Sequence, residues 1–218
     1  VLHPTQDDWA LPIGAHMTVA PSAMVEALSA VARKLASKKN ASLDDRLPQT
    51  GGADIDDALV EQVAASLVDG ERVAVWLGNL AMQHPRAAEL QVVASVIADL
   101  TGGRFGVIGE AANSVGGYVA GAVPGRGGSN AQRMIDSPCR AYILMGAEPA
   151  HDFANGSAAV RALSTSFVVA LSSFRSVDLE HCADVLLPIT PFTETSGTFV
   201  NTEGRAQSFL AVAPPQGN

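Results

Sequence analysis

The chain has 218 residues, 47% of them hydrophobic, and a formal net charge of -8 at pH 7. This length suffices for one large domain or two small ones, and the charge argues against nucleic acid or anionic lipid as the main partner. No apolar run approaches the roughly 18 residues that a membrane helix needs, so we expect no direct membrane insertion. Because the chain begins at Val1 without Met or a signal-peptide pattern, we expect an internal fragment of a longer protein.

The first seventy residues are predicted to form a helical lead-in and linker that belongs to a preceding subdomain. Residues 1–4 read as the end of a strand, and Pro21 opens a helix with apolar residues at helical spacing as far as Leu35. A polar linker with Pro48 and two glycines is predicted over residues 40–53. Asp54 is the predicted N-cap of a second helix, which ends at residues 69 and 70.

Strands and helices alternate from residue 71 onward, and residues 71–218 are predicted to form one Rossmann-like α/β domain. The predicted strands are residues 73–77, 105–108, 140–145, 167–171 and 185–188. Helices are predicted after Pro85, over 158–163 and over 177–182, and the glycine-rich residues 111–130 are predicted to be a long loop without regular structure. This alternation is typical of a doubly wound, mainly parallel sheet with flanking helices.

Residues 183–207, ADVLLPITPFTETSGTFVNTEGRAQ, are the most informative stretch of the sequence. A short buried strand leads into a polar loop, and the segments 198–202 and 205–209 flank Glu203 and Gly204 as a predicted C-terminal β-hairpin. In an open α/β sheet, loops at the carboxyl ends of the strands are where ligands bind. We therefore expect any binding site of this chain in such loops.

Three loops at the ends of predicted strands are the candidate site, namely residues 78–79, 146–149 and 193–205. Main-chain N–H groups there could cradle a phosphate or a pterin diphosphate, with Asn201 and Arg205 as directional donors. A structural role is the alternative, in which Asn201 and Gly204 shape the hairpin while Glu203 and Arg205 pair across it.

Other reactive side chains give no catalytic or metal site. His151 and Asp152 are neighbours suited to acid–base chemistry, but no recognisable nucleophile accompanies them. His181 and Cys182 lack the further ligands that a zinc site needs. Glu194 and Glu203 form a carboxylate pair for which we prefer a surface position.

Cys139 and Cys182 are the only cysteines of the chain. Two cysteines without a recognisable spacing favour a reducing compartment over a disulfide framework. They are too few for an iron–sulfur cluster, which usually takes four thiolates. We interpret both as small, buried hydrophobic side chains.

The run ADVLLP followed by E-x-x-G-T-F-x-N-x-E-G-R-x-Q resembles the signature of the molybdopterin oxidoreductase family. More closely, it resembles the branch of that family found in the G subunit of bacterial NADH-quinone oxidoreductase (respiratory complex I). The resemblance covers most of the chain. Residues 1–4 resemble the family's strand ending in Asp-Pro-Arg, residues 21–24 its Pro-Gly-Thr-Asp, and residues 146–149 its Gly-x-Asn-Pro loop. In cofactor-binding members, these loops contact the molybdopterin guanine dinucleotide.

The chain departs from the family at the polar positions of these motifs. His3 and Thr5 stand where the family has Asp and Arg, and Met24 stands in place of the Asp that reads guanine. Glu148 replaces the Asn of the third loop. Because a buried polar group that is left without its partner costs about 1–3 kcal/mol, the resemblance implies a fold that no longer binds its cofactor. The implied cofactor-binding positions, expected to be vestigial, are Gly146, Glu148, Pro149, Asn201 and Arg205.

The resemblance implies a structural and docking part of an electron-transfer protein, with other subunits of NADH-quinone oxidoreductase as partners. Iron–sulfur clusters of the parent protein would lie outside this chain, and no cofactor is expected within it. The implied location is cytoplasmic, peripheral to the inner membrane as part of a membrane-bound complex. Two alternatives stay open: a fragment of a true molybdopterin-dependent oxidoreductase similar to formate dehydrogenase, and a nucleotide-binding module. The nucleotide-binding alternative lacks support from a glycine-rich motif, since none follows a predicted strand and opens a helix.

Overall fold

A computed structural model describes residues 1–42 and 45–216, which form a mixed helix-and-strand fold with small parallel sheets. The chain divides into two compact units, Val1–Ala111 and Ala112–Asn218. The predicted boundary near residue 70, between a lead-in and a Rossmann-like domain, stays a prediction. Among the helices of the described residues, none combines the length and the apolar character that a membrane span requires.

The described part of the first unit contains four strands in two parallel pairs. Strand β1 (Leu2–His3) pairs with β2 (Met17–Thr18), and β3 (Ala74–Leu77) pairs with β4 (Arg104–Val107). Strands β3 and β4 lie within one residue of their predicted bounds. Sequence reading missed β2, because two residues are too few to show an alternating pattern.

Helix α1 (Met24–Lys38) is the centre of the first unit's core. It packs against α2 (Asp57–Asp69) and against α4 (Ala87–Thr101), while the short α3 (Asn79–Met82) follows strand β3. Leu35 of α1 is fully buried and shares one apolar cluster with Val60 of α2 and Val93 of α4. The apolar stripe predicted after Pro21 is therefore the stripe that holds this unit together.

Helix α2 is capped by Asp56, and the predicted cap, Asp54, is wrong. Asp56 Oδ1 accepts hydrogen bonds from the main-chain N–H groups of Ala58 at 2.9 Å and Leu59 at 3.2 Å. A cap must sit directly before the first helical residue to reach these donors, and that residue is Asp57. Asp54 lies two residues too early.

The second unit is built on a three-stranded parallel sheet with the order β5-β6-β7. Strand β5 is Ala141–Met145, β6 is Phe167–Ser172 and β7 is Val185–Pro188. The helices of this unit are α5 (Ser114–Val119), α6 (Ala131–Asp136), α7 (Pro149–Asp152), α8 (Gly156–Leu163) and α9 (Val177–Cys182). The predicted C-terminal hairpin is confirmed, since β8 (Gly197–Val200) pairs antiparallel with β9 (Ala206–Phe209).

Helix α5 corrects the prediction that residues 111–130 lack regular structure. Its glycines read as loop residues because glycine disfavours helices. At Gly116 the reason is a close approach, since an added Cβ would lie 1.9 Å from Asn113 Oδ1. The same Asn113 oxygen accepts a hydrogen bond from Val200 N–H at 2.8 Å, which ties this segment to strand β8.

The two faces of the β5-β6-β7 sheet differ in exposure. Val168 and Ala170 are buried on one face, whereas Ile143 and Met145, on the other, are 74% and 72% exposed. Side chains that are apolar on both faces are typical of parallel strands. The described strands lie in four separate small sheets, and a single doubly wound sheet stays a prediction.

Candidate functional site

The predicted loop 146–149 begins with a sharp turn at the end of β5. Gly146 has a φ of +59°, in the left-handed region that favours glycine, and its N–H donates to Leu171 O at 2.8 Å. Helix α7 then starts at Pro149, which is fully buried. The loop is thus fixed at the carboxyl edge of the sheet, where ligand loops of this fold class lie.

The polar main-chain groups of Glu148 are used within the loop itself. Its N–H donates to Asp152 Oδ2 at 2.6 Å, and its carbonyl accepts from the N–H groups of His151 and Asp152, both at 2.9 Å. His151 Nε2 in turn lies 3.7 Å from Asp178 Oδ2 on the surface. The side chains around this loop are therefore mostly carboxylates, and the amide of Glu148 is already bonded to one of them.

The hairpin turn 201–205 is organised by Asn201. Its Oδ1 accepts hydrogen bonds from Glu203 N–H at 3.1 Å and Arg205 N–H at 2.9 Å, while Gly204 has a φ of +83°. Arg205 Nη2 lies 3.9 Å from Glu203 Oε2, with both side chains exposed. This geometry is the structural alternative of the sequence analysis, in which Asn201 shapes the turn and the two charges pair across it.

The five predicted positions form two separate local groups. Gly146, Glu148 and Pro149 share one loop, and Asn201 and Arg205 share one turn. In the described part of the chain, no hydrogen bond or ion pair joins these two groups. The assignment of the five residues as vestigial cofactor positions stays a prediction.

The two cysteines differ from one another, and the interpretation of both as buried is wrong for Cys139. Cys139 is exposed, because it lies in the connection between α6 and β5, whereas Cys182 is buried at the end of α9. Burial raises the pKa of the Cys182 thiol above its usual range. Among residues 1–42 and 45–216, no group of three or more His, Cys, Asp or Glu side chains could hold a metal ion.

A cavity of about 700 Å³ lies in the first unit beside the predicted loop 78–79. Gly78 and Asn79 line it together with His3 and Met24, two positions at which the sequence departs from the motifs that it resembles. Most of the remaining lining is apolar. Sequence reading missed this cavity because its walls come from residues scattered between Val1 and Ile108, and no spacing pattern connects them.

Sequence reading also missed two side chains that hold strands in place. Asp184 Oδ2 accepts a hydrogen bond from Val168 N–H at 2.7 Å, and Asp184 N–H donates to Val168 O at 2.9 Å. Asn113 anchors β8 in the same manner. An Asp directly before a short apolar strand was a usable signal, but the sequence alone does not show which main-chain group it meets. The prediction that this strand is buried is wrong, because β7 is an outer strand of its sheet, and Val185 and Leu187 are 37% and 45% exposed.

A charged cluster in the first unit links two helices. Arg86 donates to Glu26 Oε1 at 2.6 Å and, through two nitrogens, to both carboxylate oxygens of Glu89 at 2.8 Å. These hydrogen bonds lower the pKa of Glu26 and of Glu89 and raise the pKa of Arg86. The cluster tethers the start of α4 to α1 and lines no described cavity.

The chain belongs to the molybdopterin oxidoreductase family. A sequence model of that family matches residues 15–218, which is nearly the whole chain.

Within that family, the chain is similar to the G subunits of NADH-quinone oxidoreductase of Mycobacterium bovis and of Mycobacterium tuberculosis. Each is 31% identical over 184 residues, which cover 69% of this chain and 21% of the relative. A segment of 35 residues is 57% identical to the mitochondrial 78 kDa subunit of NADH-ubiquinone oxidoreductase of Candida albicans, covering 16% of this chain and 5% of that protein. The chain thus spans about a fifth of the length of the two mycobacterial relatives.

Proposed function

We propose that this chain is a segment of the G subunit of an NADH-quinone oxidoreductase and serves there as scaffold and docking part. Similarity to two such subunits over 69% of the chain supports the assignment to this branch. In this proposal the electrons travel through iron–sulfur clusters held elsewhere in the parent protein. The other subunits of the complex are the partners, and the segment is peripheral to the membrane on its cytoplasmic side.

The proposed loss of the cofactor rests on one observation: in both candidate loops, main-chain donors are hydrogen-bonded within the same segment. A pterin diphosphate would need free donors, but Glu148 N–H already donates to Asp152. The main-chain N–H groups of Glu203 and Arg205 both donate to the side-chain oxygen of Asn201. Arg205 is the remaining cation of the two loops, and it faces Glu203 at 3.9 Å. The residues present do not fit the dinucleotide cofactor of the family, and we derive no reaction step through it.

Charge around the first loop supports the same conclusion. Glu148 in this loop and Asp152 at the end of α7 bring two carboxylates together here, and Asp178 of α9 lies near His151. A pyrophosphate brought to this place would meet like charges, which disfavours binding by electrostatic repulsion. In contrast, an acidic surface whose polar groups are hydrogen-bonded internally is compatible with a segment whose role is to contact other protein subunits.

The test is an analysis of metal and pterin in the full-length parent protein, purified without oxygen. We expect iron without molybdenum and without pterin. A molybdenum-containing formate dehydrogenase purified in parallel serves as the control that the procedure retains the cofactor. About one molybdenum and one pterin per chain in the parent would overturn the proposal, and the parent would then be a true molybdopterin-dependent enzyme.

The thermal stability of the 218-residue chain in the presence of nucleotides distinguishes a nucleotide-binding function from a scaffold function. A ligand that binds only the folded state at 100 times its Kd stabilises that state by about 2.7 kcal/mol. We expect no increase in Tm with millimolar GDP or NADH. A saturable increase with either nucleotide would contradict the scaffold role.

A further inference from the structure

Strand β1 is paired on one side only. The carbonyls of Val1 and His3 accept hydrogen bonds from Met17 N–H at 2.8 Å and Val19 N–H at 3.2 Å, along strand β2. Main-chain groups alternate in direction along a strand, so the N–H and C=O of Leu2 point to the opposite edge. No third strand pairs with that edge within the described residues.

Strand β3 has an unpaired edge of the same kind. Its partner β4 is bonded to it from Arg104 N–H to Val73 O at 3.0 Å, and the next residue after β4, Ile108, donates to Leu77 O at 2.8 Å. By the same alternation, the main-chain groups of Ala74 and Trp76 point away from β4. In the part of the chain that the structure describes, this second edge also lacks a strand partner.

Both unpaired edges border one cavity. Every residue of β1 and of β3 lines the cavity of about 700 Å³, and Leu2 and Val75 pack against the same two apolar clusters. The two strands therefore lie side by side over the same helices with a space between them. We call this space the strand slot. Its walls carry hydrogen-bonding groups that a purely apolar occupant would leave unsatisfied.

The strands on both sides of the slot run in the same direction. Leu77, at the end of β3, shares a cluster with Met24 and Val25, which open the helix that follows β2. The carboxyl ends of β2 and β3 are thus on the same side of the unit. A further strand between β1 and β3 would continue two parallel ladders at once.

We propose that the strand slot binds an extended, uncharged polypeptide segment supplied from outside this chain. The segment would complete a five-stranded parallel sheet with the order β2-β1-segment-β3-β4. No Asp, Glu, Lys or Arg is among the described lining residues, so the segment carries apolar side chains at the slot. A second copy of the chain is disfavoured, because each of its described strands already pairs with another. The proposal stands apart from the proposed function, since it depends on the slot alone.

The chain contains its own reporters for this site. Trp9 and Trp76 are its two tryptophans, and both line the slot, where Trp76 is 60% exposed. An inserted strand would remove water mainly from the indole of Trp76, because Trp9 Nε1 is already buried. Tryptophan emission should therefore shift to shorter wavelength when the slot fills. No tryptophan outside the slot contributes to this signal.

The test joins a four-valine strand to Val1 through a flexible Gly/Ser linker of roughly 15 residues, long enough for a parallel crossover. The matched control replaces the two central valines by prolines, which cannot donate to a ladder. We expect a higher Tm for the valine fusion, a blue-shifted emission, and amide exchange at Leu2, Ala74 and Trp76 slowed by about tenfold or more. Exchange at Val75, which already faces β4, should change much less.

Three results would overturn the proposal. The valine and proline fusions could show equal Tm and equal exchange, which would show that the slot takes no strand. A dimer of the unfused chain that protects the same amides would make a second copy the occupant. If an apolar dye shifted the tryptophan emission without slowing amide exchange at Ala74 and Trp76, the slot would be a small-molecule pocket. Should the valine fusion aggregate, a lysine-flanked tetravaline peptide added to the unfused chain gives the same emission and exchange readouts.

Discussion

Asn201, one of the predicted cofactor positions, uses its side-chain oxygen within its own turn. Its amide oxygen accepts from two main-chain N–H groups, at 2.9 and 3.1 Å, and its main-chain N–H donates to Arg205 O at 3.1 Å. The residue directs its hydrogen bonds into the turn. Its contribution should therefore appear in stability, which can be measured without any cofactor.

We predict that Asn201→Ala lowers the free energy of unfolding by about 1 kcal/mol, because two turn amides lose their acceptor. Asn201→Asp keeps the oxygen and should lie close to the unsubstituted chain. Urea unfolding followed by circular dichroism checks both variants. Equal stability of Asn201→Ala and the unsubstituted chain would show that water satisfies the turn amides equally well.

Arg86 gives the first unit a defined dependence on pH. It lowers the pKa of Glu26 and of Glu89 through direct hydrogen bonds. A carboxylate whose pKa is lowered on folding stabilises the folded state above its unfolded pKa, about 4.3, and loses this contribution as the pH falls through the lower, folded pKa. The cluster therefore contributes fully at pH 7 and fades in acid.

We predict that the double variant Glu26→Gln, Glu89→Gln is less stable than the unsubstituted chain at pH 7. The difference should shrink as the pH falls below about 4.3 and vanish below the lowered, folded pKa of the two carboxyls, where both chains carry neutral side chains at these positions. Urea midpoints between pH 3 and pH 7 provide the measurement. A difference that is constant over this range would mean that packing, rather than charge, is what the substitutions change.

Elements of regular structure were predictable where a long periodic pattern exists. Strand β7 and helix α9 fall within the bounds that the sequence predicts, and the hairpin follows from Gly204 in a polar turn. Helix α5 and the two-residue β2 were missed, because glycines hide the one and brevity hides the other. The spacing of hydrophobic residues indicates which side of a segment is buried, but it does not show which strands pair with one another.

The candidate site was predictable as a set of loops and unpredictable as a geometry. Gly146 was recognisable as a turn residue, but the bond between Glu148 N–H and Asp152 depends on helix α7, which brings a residue four positions away back to the loop. Likewise, the strand slot arises from main-chain edges whose pairing no side-chain pattern encodes. The sequence indicates which polar side chains lie in the loops, but it does not show which groups they hydrogen-bond to.

The two aspartates before helix α2 allow a matched test at the scale of one element. We predict that Asp56→Ala lowers the free energy of unfolding by about 1 kcal/mol, since it leaves Ala58 and Leu59 N–H without their acceptor. Asp54→Ala, two residues upstream, should change stability by less than about 0.5 kcal/mol. Thermal unfolding of both variants checks this, and equal losses would count against Asp56 as the cap.

At the scale of the whole molecule, each unit carries a spectroscopic or chemical reporter. Both tryptophans lie in the first unit, and the buried thiol of Cys182 lies in the second. Because burial raises the pKa of Cys182, its thiolate is scarce, and reagents reach it only when the second unit opens. Exposed Cys139 has no such protection.

We predict two phases when the folded chain reacts with Ellman's reagent. Cys139 should react in the fast phase, and Cys182 on the order of 100-fold more slowly, as an opening free energy of about 3 kcal/mol implies. Cys139→Ser should remove the fast phase and Cys182→Ser the slow one. A single fast phase that titrates both thiols would show that the second unit is open in solution.

The contrast between the hairpin and the parallel sheet of the second unit bears on the order in which they form. A hairpin closes within about 1–10 μs, whereas β5 and β6 can pair only after the intervening α8 has crossed over. On dilution from denaturant, we expect the hairpin to form before the sheet. During synthesis at about 5–20 residues per second, the strands of the sheet leave the ribosome before residues 197–209 do. The two routes therefore reach the same native unit in opposite order.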